Sequence, residues 1–430
     1  MFRCRVLLVA LCAAVSASVP AFAQATAPAP AAQDHQHHTT ADAAASPWTF
    51  MQDGIVFGLF NHQGGPRGGD EFRVPNWWMG MFSREVGKSK LTFSTMLSLD
   101  PATVGKQGYR EIFQVGEAFE GEPLIDHQHP HDLFMQLAAV WRTPLTPRIG
   151  LTIAGGPAGE PALGPVAFMH RASAAENPMA PLGHHTFDST HIAFGVVTAS
   201  VDYGPWIAET SLFNGREPDE DRWDIEFGKW DSVSGRLWYK PSPAWEFQLS
   251  SGRLVEPEEL EPGNVIRTTA SGSWTKMRAE GFSAVSGGYG INATSHGRRA
   301  AGFIEGTRRK SALSLYGRAE LVQVESELLR AGVVPDHEAE NNALVGAFTG
   351  GAVRDFPKWR GFEGGLGAQV TFYRSPDALQ ETHGEHPVSF QVFFRLRPPV
   401  SSMGRMWNMR MSQPMSGHDM NAMPGMSGVK

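Results

Sequence analysis

The densest coordinating chemistry lies in Asp126-His127-Gln128-His129-Pro130-His131-Asp132. Three imidazoles at alternate positions can project to one side of an extended chain, and imidazole suits Cu(II), Zn(II) or Ni(II). The carboxylates of Asp126 and Asp132 can ligate directly or accept a hydrogen bond from a ring N–H. His170 and the pair His184-His185 fall in the longest loop, 156–190, with His191 just beyond it. His35, His37 and His38 add imidazoles near the N-terminus. At the other end stand Met403, Met406, Met409, Met411, Met415, His418, Met420, Met423 and Met426. Eight of the chain's seventeen methionines thus crowd into its last 28 residues, a density that ordinary unstructured tails do not show. Thioether sulfur is soft and carries no proton to lose, so it selects Cu(I) or Ag(I). The plainer alternatives are a polar loop whose histidines bond to nearby backbone, and a tail of biased composition.

Other chemistries are missing. There is no GxSxG elbow, HExxH, GxxxxGK or CxxC. Both cysteines, Cys4 and Cys12, fall in the first 23 residues. Those residues pair a charged start with an apolar run and end Ala21-Phe22-Ala23, as a secretory signal does. Cleavage there leaves no disulfide, thiolate zinc site or thiol nucleophile. It also removes two arginines, taking the formal charge from −7 to −9, which is not a nucleic-acid binder's balance.

The elements that must position these ligands read as β-strands. Leu91, Phe93, Thr95, Leu97 and Leu99 alternate with Thr92, Ser94, Met96 and Ser98. Trp245, Phe247 and Leu249 alternate with Glu246, Gln248 and Ser250, and the same period runs through 312–321, 366–373 and 388–397. Seven short turn-like connections (85–90, 143–148, 202–205, 241–244, 276–280, 307–311 and 355–359) alternate with eight longer polar stretches. Sixteen strands follow, with 14 or 12 as alternatives. This is the pattern of an all-β, antiparallel, up-and-down transmembrane barrel. Lumen-facing charges are expected at Arg236, Lys240, Glu246, Arg318, Glu320 and Arg395. Interfacial aromatic girdles are expected from Trp77, Trp78, Trp141, Trp206, Trp238, Tyr239, Trp245, Trp274 and Trp359. Met135 and Leu137 share the parity of the odd-numbered histidines and read as lipid-facing, so Pro130 is needed to break the ladder. A soluble sandwich or propeller is the competing fold. It would need other elements to cover these apolar faces.

The organisation expected is a signal peptide 1–23, a disordered His-containing periplasmic tail 24–47, a barrel 48–397 and a disordered Met-rich tail 398–430. Taken together, these features resemble a bacterial outer-membrane barrel. His386–Arg397 (HPVSFQVFFRLR) resembles the closing strand of that family, although this chain continues past Phe394 where the family usually stops. The tails resemble Met/His-rich segments of copper-resistance proteins of the bacterial envelope. That resemblance implies a non-enzymatic barrel that binds or moves soft metal ions, copper above all. Its partners would be outer-membrane lipid, metal ions and periplasmic metal-handling proteins, with no required cofactor. A general porin-like channel and an outer-membrane enzyme with a loop or rim site are the alternatives.

Overall fold

The computed structural model describes residues 47–414 apart from 116, 262, 296, 332–341 and 402–403. One antiparallel sheet closes on itself through seventeen paired segments. Two of these, Gly69–Arg73 and Asn76–Val86, both pair with the first strand and form one strand interrupted at Val74-Pro75. Proline lacks the N–H that the ladder needs there. The barrel therefore has sixteen strands: β1 Thr49–Gln63, β2 Gly69–Arg73 with Asn76–Val86, β3 Ser89–Leu97, β4 Phe134–Thr146, β5 Ile149–Gly159, β6 Ala193–Tyr203, β7 Trp206–Phe213, β8 Ser232–Ser242, β9 Trp245–Val255, β10 Asn264–Arg278, β11 Gly281–Ala293, β12 Arg298–Lys310, β13 Leu313–Glu325, β14 Asn342–Asp355, β15 Glu363–Arg374 and β16 Val388–Arg397. Each pairs with its chain neighbours, and β16 closes onto β1 with His62 opposite Phe390 and Val56 opposite Leu396.

The period-two pattern sorts the side chains as expected. Phe82, Phe93, Ile153, Leu249, Leu315, Phe348, Leu366 and Phe390 point outward as an exposed apolar belt. Arg236, Glu246, Arg318, Glu320 and Arg395 are buried on the inner face. Among the described residues no helix is long and apolar enough to cross a membrane. The exposed belt over a closed sheet is how a strand-built protein meets lipid, and the chain is an outer-membrane barrel.

Two expectations of facing are corrected. Trp77 and Trp238 belong to the lumen and not to a girdle. Trp238 is 2% exposed and stacks under Arg410, and Trp77 packs on buried methionines. Met135 is also inside, at 1% exposure beside an equally inward Gln136. A register shift where β3 meets β4, between Met96 and Leu97, puts these consecutive residues on the same side.

The lumen is filled. Residues 160–192, between β5 and β6, fold inward and are buried almost throughout. Their anchors reach walls all round the barrel. Arg171 bridges Glu305 of β12 at 2.7 Å and the loop's own Asp188 at 2.8 Å. Glu176 pairs with Arg395 of β16. The backbone N–H of Ala162 and of Gly164 donate to Ser211 and Ser250, and Arg267 of β10 donates to the carbonyl of His185. Replacing Arg171 with Met leaves Glu305 and Asp188 short of their shared counter-charge in a buried setting. The cost expected is about 3–5 kcal/mol, measurable as a fall in the urea midpoint of the detergent-folded protein.

A second stretch enters beside it. Residues 405–413, expected as free tail, are packed inside the barrel. Arg405 pairs with Asp53 of β1 and Glu363 of β15 at 2.9 and 2.8 Å. Trp407 lies on Phe282, Arg410 on Trp238, and Ser412 donates to Glu209. The stretch stays because its arginines find buried carboxylates and its apolar side chains find an apolar patch.

Candidate metal centre

Five imidazoles gather where the 98–133 connection meets the inward loop. His184 lies 5.2 Å from His191, 5.3 Å from His185 and 5.7 Å from His129, ring centre to ring centre. His131 is 5.5 Å from His191, and His129 is 5.4 Å from His185. His129, His184 and His191 are buried and His131 nearly so.

Local structure fixes four of these rings through Nδ1. His131 Nδ1 meets Asp100 at 2.9 Å, and His184 Nδ1 meets Asp188 at 2.8 Å. His191 Nδ1 meets the Asp188 carbonyl at 2.8 Å, and His129 Nδ1 meets Glu117 at 3.1 Å and the Pro130 carbonyl at 3.3 Å. A carbonyl or carboxylate oxygen only accepts, so each Nδ1 is the protonated nitrogen of its ring. In the neutral form of such a ring the proton-free nitrogen is Nε2. In all four rings Nε2 is buried and has no hydrogen-bond partner. A buried acceptor without a partner costs about 1–3 kcal/mol, and four share one place. Orientation through Nδ1 with Nε2 bare is how proteins present imidazole to a metal.

Asp188 organises much of this. One carboxylate oxygen takes His184, the other takes Arg171 and the Phe168 N–H, and its carbonyl takes His191. Burial pushes His129, His184 and His191 below the usual imidazole range, His129 and His191 strongly; the Arg222 guanidinium adds to this at His129, and neighbouring rings add to it at all three. These rings are neutral at neutral pH, the form that ligates.

A tighter group adjoins the cluster. One ligand atom each from His185, Glu217 and Glu258 lie within 4.8 Å of one another, close enough to chelate an ion. His185 and Glu258 of this group edge a pocket lined also by Glu259, Glu261 and Arg299. The four bare Nε2 atoms are more widely spread than that group, so a single ion would draw them inward.

The structure thus splits the sequence candidates. His129, His131, His184 and His185 come together. His127 does not: its Nδ1 turns to the Ile125 carbonyl, and its neighbour across the ladder is Arg110. Asp126 holds the Phe113 N–H, His383 and Arg67, and Asp132 pairs with Arg222, so neither touches a cluster ring. His170 stands apart, 5.1 Å from Trp77. Met406, Met409 and Met411 are buried in the lumen. His35, His37, His38, Met403, Met415, His418, Met420, Met423 and Met426 lie outside the described residues, as do the signal and the N-terminal tail. Sequence reasoning missed Asp100, Glu117, Asp188 and Glu217. Only Asp188 carried a signal, sitting four residues after His184 and three before His191.

These features define a sixteen-stranded outer-membrane β-barrel with an occupied lumen. No family model and no curated protein matches the chain. Its course is similar to that of several solved structures. A loop-deleted OmpT from Vibrio cholerae is 8% identical, with 81% of this chain and 99% of that one covered and a TM-score of 0.49. OmpF of Salmonella typhi is 8% identical, with 81% and 97% covered and a TM-score of 0.49. An anion-selective porin from Comamonas acidovorans is 10% identical, with 82% and 100% covered and a TM-score of 0.47.

Proposed function

We propose that this porin-like barrel captures transition-metal ions such as copper inside its lumen, as part of envelope metal handling. One observation carries the reading: four imidazoles held through Nδ1 leave four buried Nε2 atoms together without partners. The acidic group of His185, Glu217 and Glu258 supplies a first stop for a cation. Imidazole ligands fit Cu(II) and Zn(II) alike.

The test is direct. The processed protein, folded in detergent, is loaded with Cu(II) or Zn(II), desalted and analysed for metal. Tight retention of an ion is expected; no retention rejects the reading. Acid sets a further expectation. Solution imidazoles protonate and release metal as pH falls through about 6.5. The depressed rings here stay neutral further into acid, so the ion is expected to remain bound below the pH at which free imidazole gives it up. Loss in step with free imidazole would place the ion elsewhere.

The open-porin alternative has its own readout. Ohmic conductance across a planar bilayer, indifferent to copper, would favour it over metal capture.

A further inference from the structure

The inner face of most of this barrel is Ser, Thr, Gln, Arg and Glu, but one sector is different. Across β1 to β4 the inward positions include Met51, Met79, Met81, Met96 and Met135, each at most 5% exposed. They form one buried cluster. Met51 sits directly opposite Met81 on the β1–β2 ladder, and Met79 opposite Met96 on the β2–β3 ladder. Side chains so paired have Cβ atoms about 4.5–5.5 Å apart, and a thioether arm spans that gap. Met406 and Met409 of the inserted C-terminal stretch complete the cluster, and Met169 of the inward loop packs against it.

A second observation points to a ligand. His170, 6% exposed, follows Met169 and lies edge-on to Trp77, which also packs on the cluster. Its Nδ1 is buried without a partner. The backbone carbonyl of His170 accepts from the Asn408 N–H at 2.7 Å, which ties this imidazole to the stretch carrying Met406 and Met409. A cleft has His131, Phe168, Trp77, Met169 and Met406 among its walls, so it runs from the imidazole cluster to the methionines.

We propose that this sector is a separate site for a monovalent soft ion, Cu(I) or Ag(I), ligated by thioethers and closed by Met406 and Met409. Methionine as mere filler does not account for its confinement to adjoining strands or for the bare imidazole beside it. Thioether donors select soft monovalent ions and leave divalent ones to the imidazoles. The proposal deepens the metal-handling reading but uses different side chains, so each can fail alone.

The probe is Ag(I), which needs no reductant, titrated calorimetrically into the full processed chain in detergent. Three variants decide the outcome: Met79→Leu with Met96→Leu in the wall, Met420→Leu with Met423→Leu and Met426→Leu near the C-terminus, and His184→Gln with His191→Gln. Leucine keeps the packed volume, and heat-modifiable gel mobility reports folding. The wall variant is expected to weaken Ag(I) by about tenfold or more, while the other two leave the strongest site unchanged. A folded wall variant with wild-type affinity overturns the proposal. So does loss of that affinity in the C-terminal variant, or absence of Ag(I) binding by the wild type. Loss of Cu(II) and Zn(II) binding in the histidine variant, with Ag(I) intact, separates the two sites.

Discussion

Exchange of His184 and His191 for Gln is expected to weaken Cu(II) or Zn(II) binding by about 100-fold or more, while the barrel still folds. The pair contributes two of the four bare Nε2 atoms, and both are set by Asp188. Glutamine keeps a polar side chain of similar reach but offers no imidazole nitrogen. The apo protein is expected to lose little, because the variant also removes buried acceptors that lack partners. Equilibrium dialysis against a competing chelator measures the affinity, and gel mobility before and after heating checks the fold. Unchanged affinity in the folded variant would remove the imidazole cluster from the account.

Excision of 160–192 is expected to turn a barrel that conducts near baseline into an open channel, raising bilayer conductance by about tenfold or more. Gly159 pairs with Ala193 on the β5–β6 ladder, so a short Gly/Ser turn can join the cut ends without moving the sheet. A sixteen-stranded barrel is wide enough to hold an aqueous path once its filling is gone. Glu305, Arg318 and Arg395 would then face water, which a charged inner wall tolerates. Large, stable conductance by the uncut protein would instead make the inward loop a mobile element and favour the open-porin alternative.

The barrel was largely legible in the chain. Alternation such as Trp245-Glu246-Phe247-Gln248-Leu249-Ser250 states which side chain meets lipid, and the alternation of short and long connections yields sixteen strands. Facing was misread where aromatic character outweighed parity. Trp238 is two residues from the inward Arg236 and shares its side. Met135 was hidden by a bulge, which period-two reading cannot foresee. The metal centre was half legible. Histidine density marked His129, His131, His184 and His185, but the acceptors that aim them come from distant segments such as Asp100 and Glu117. The methionine sector was invisible for the same reason: Met51, Met79, Met81 and Met96 become neighbours only through strand pairing.

The inserted C-terminal stretch dictates an order of events. Residues 405–413 touch β1, β7, β8, β11 and β15, strands that face one another only after β16 has sealed against β1. The stretch therefore docks last, like a cork pushed into a finished bottle.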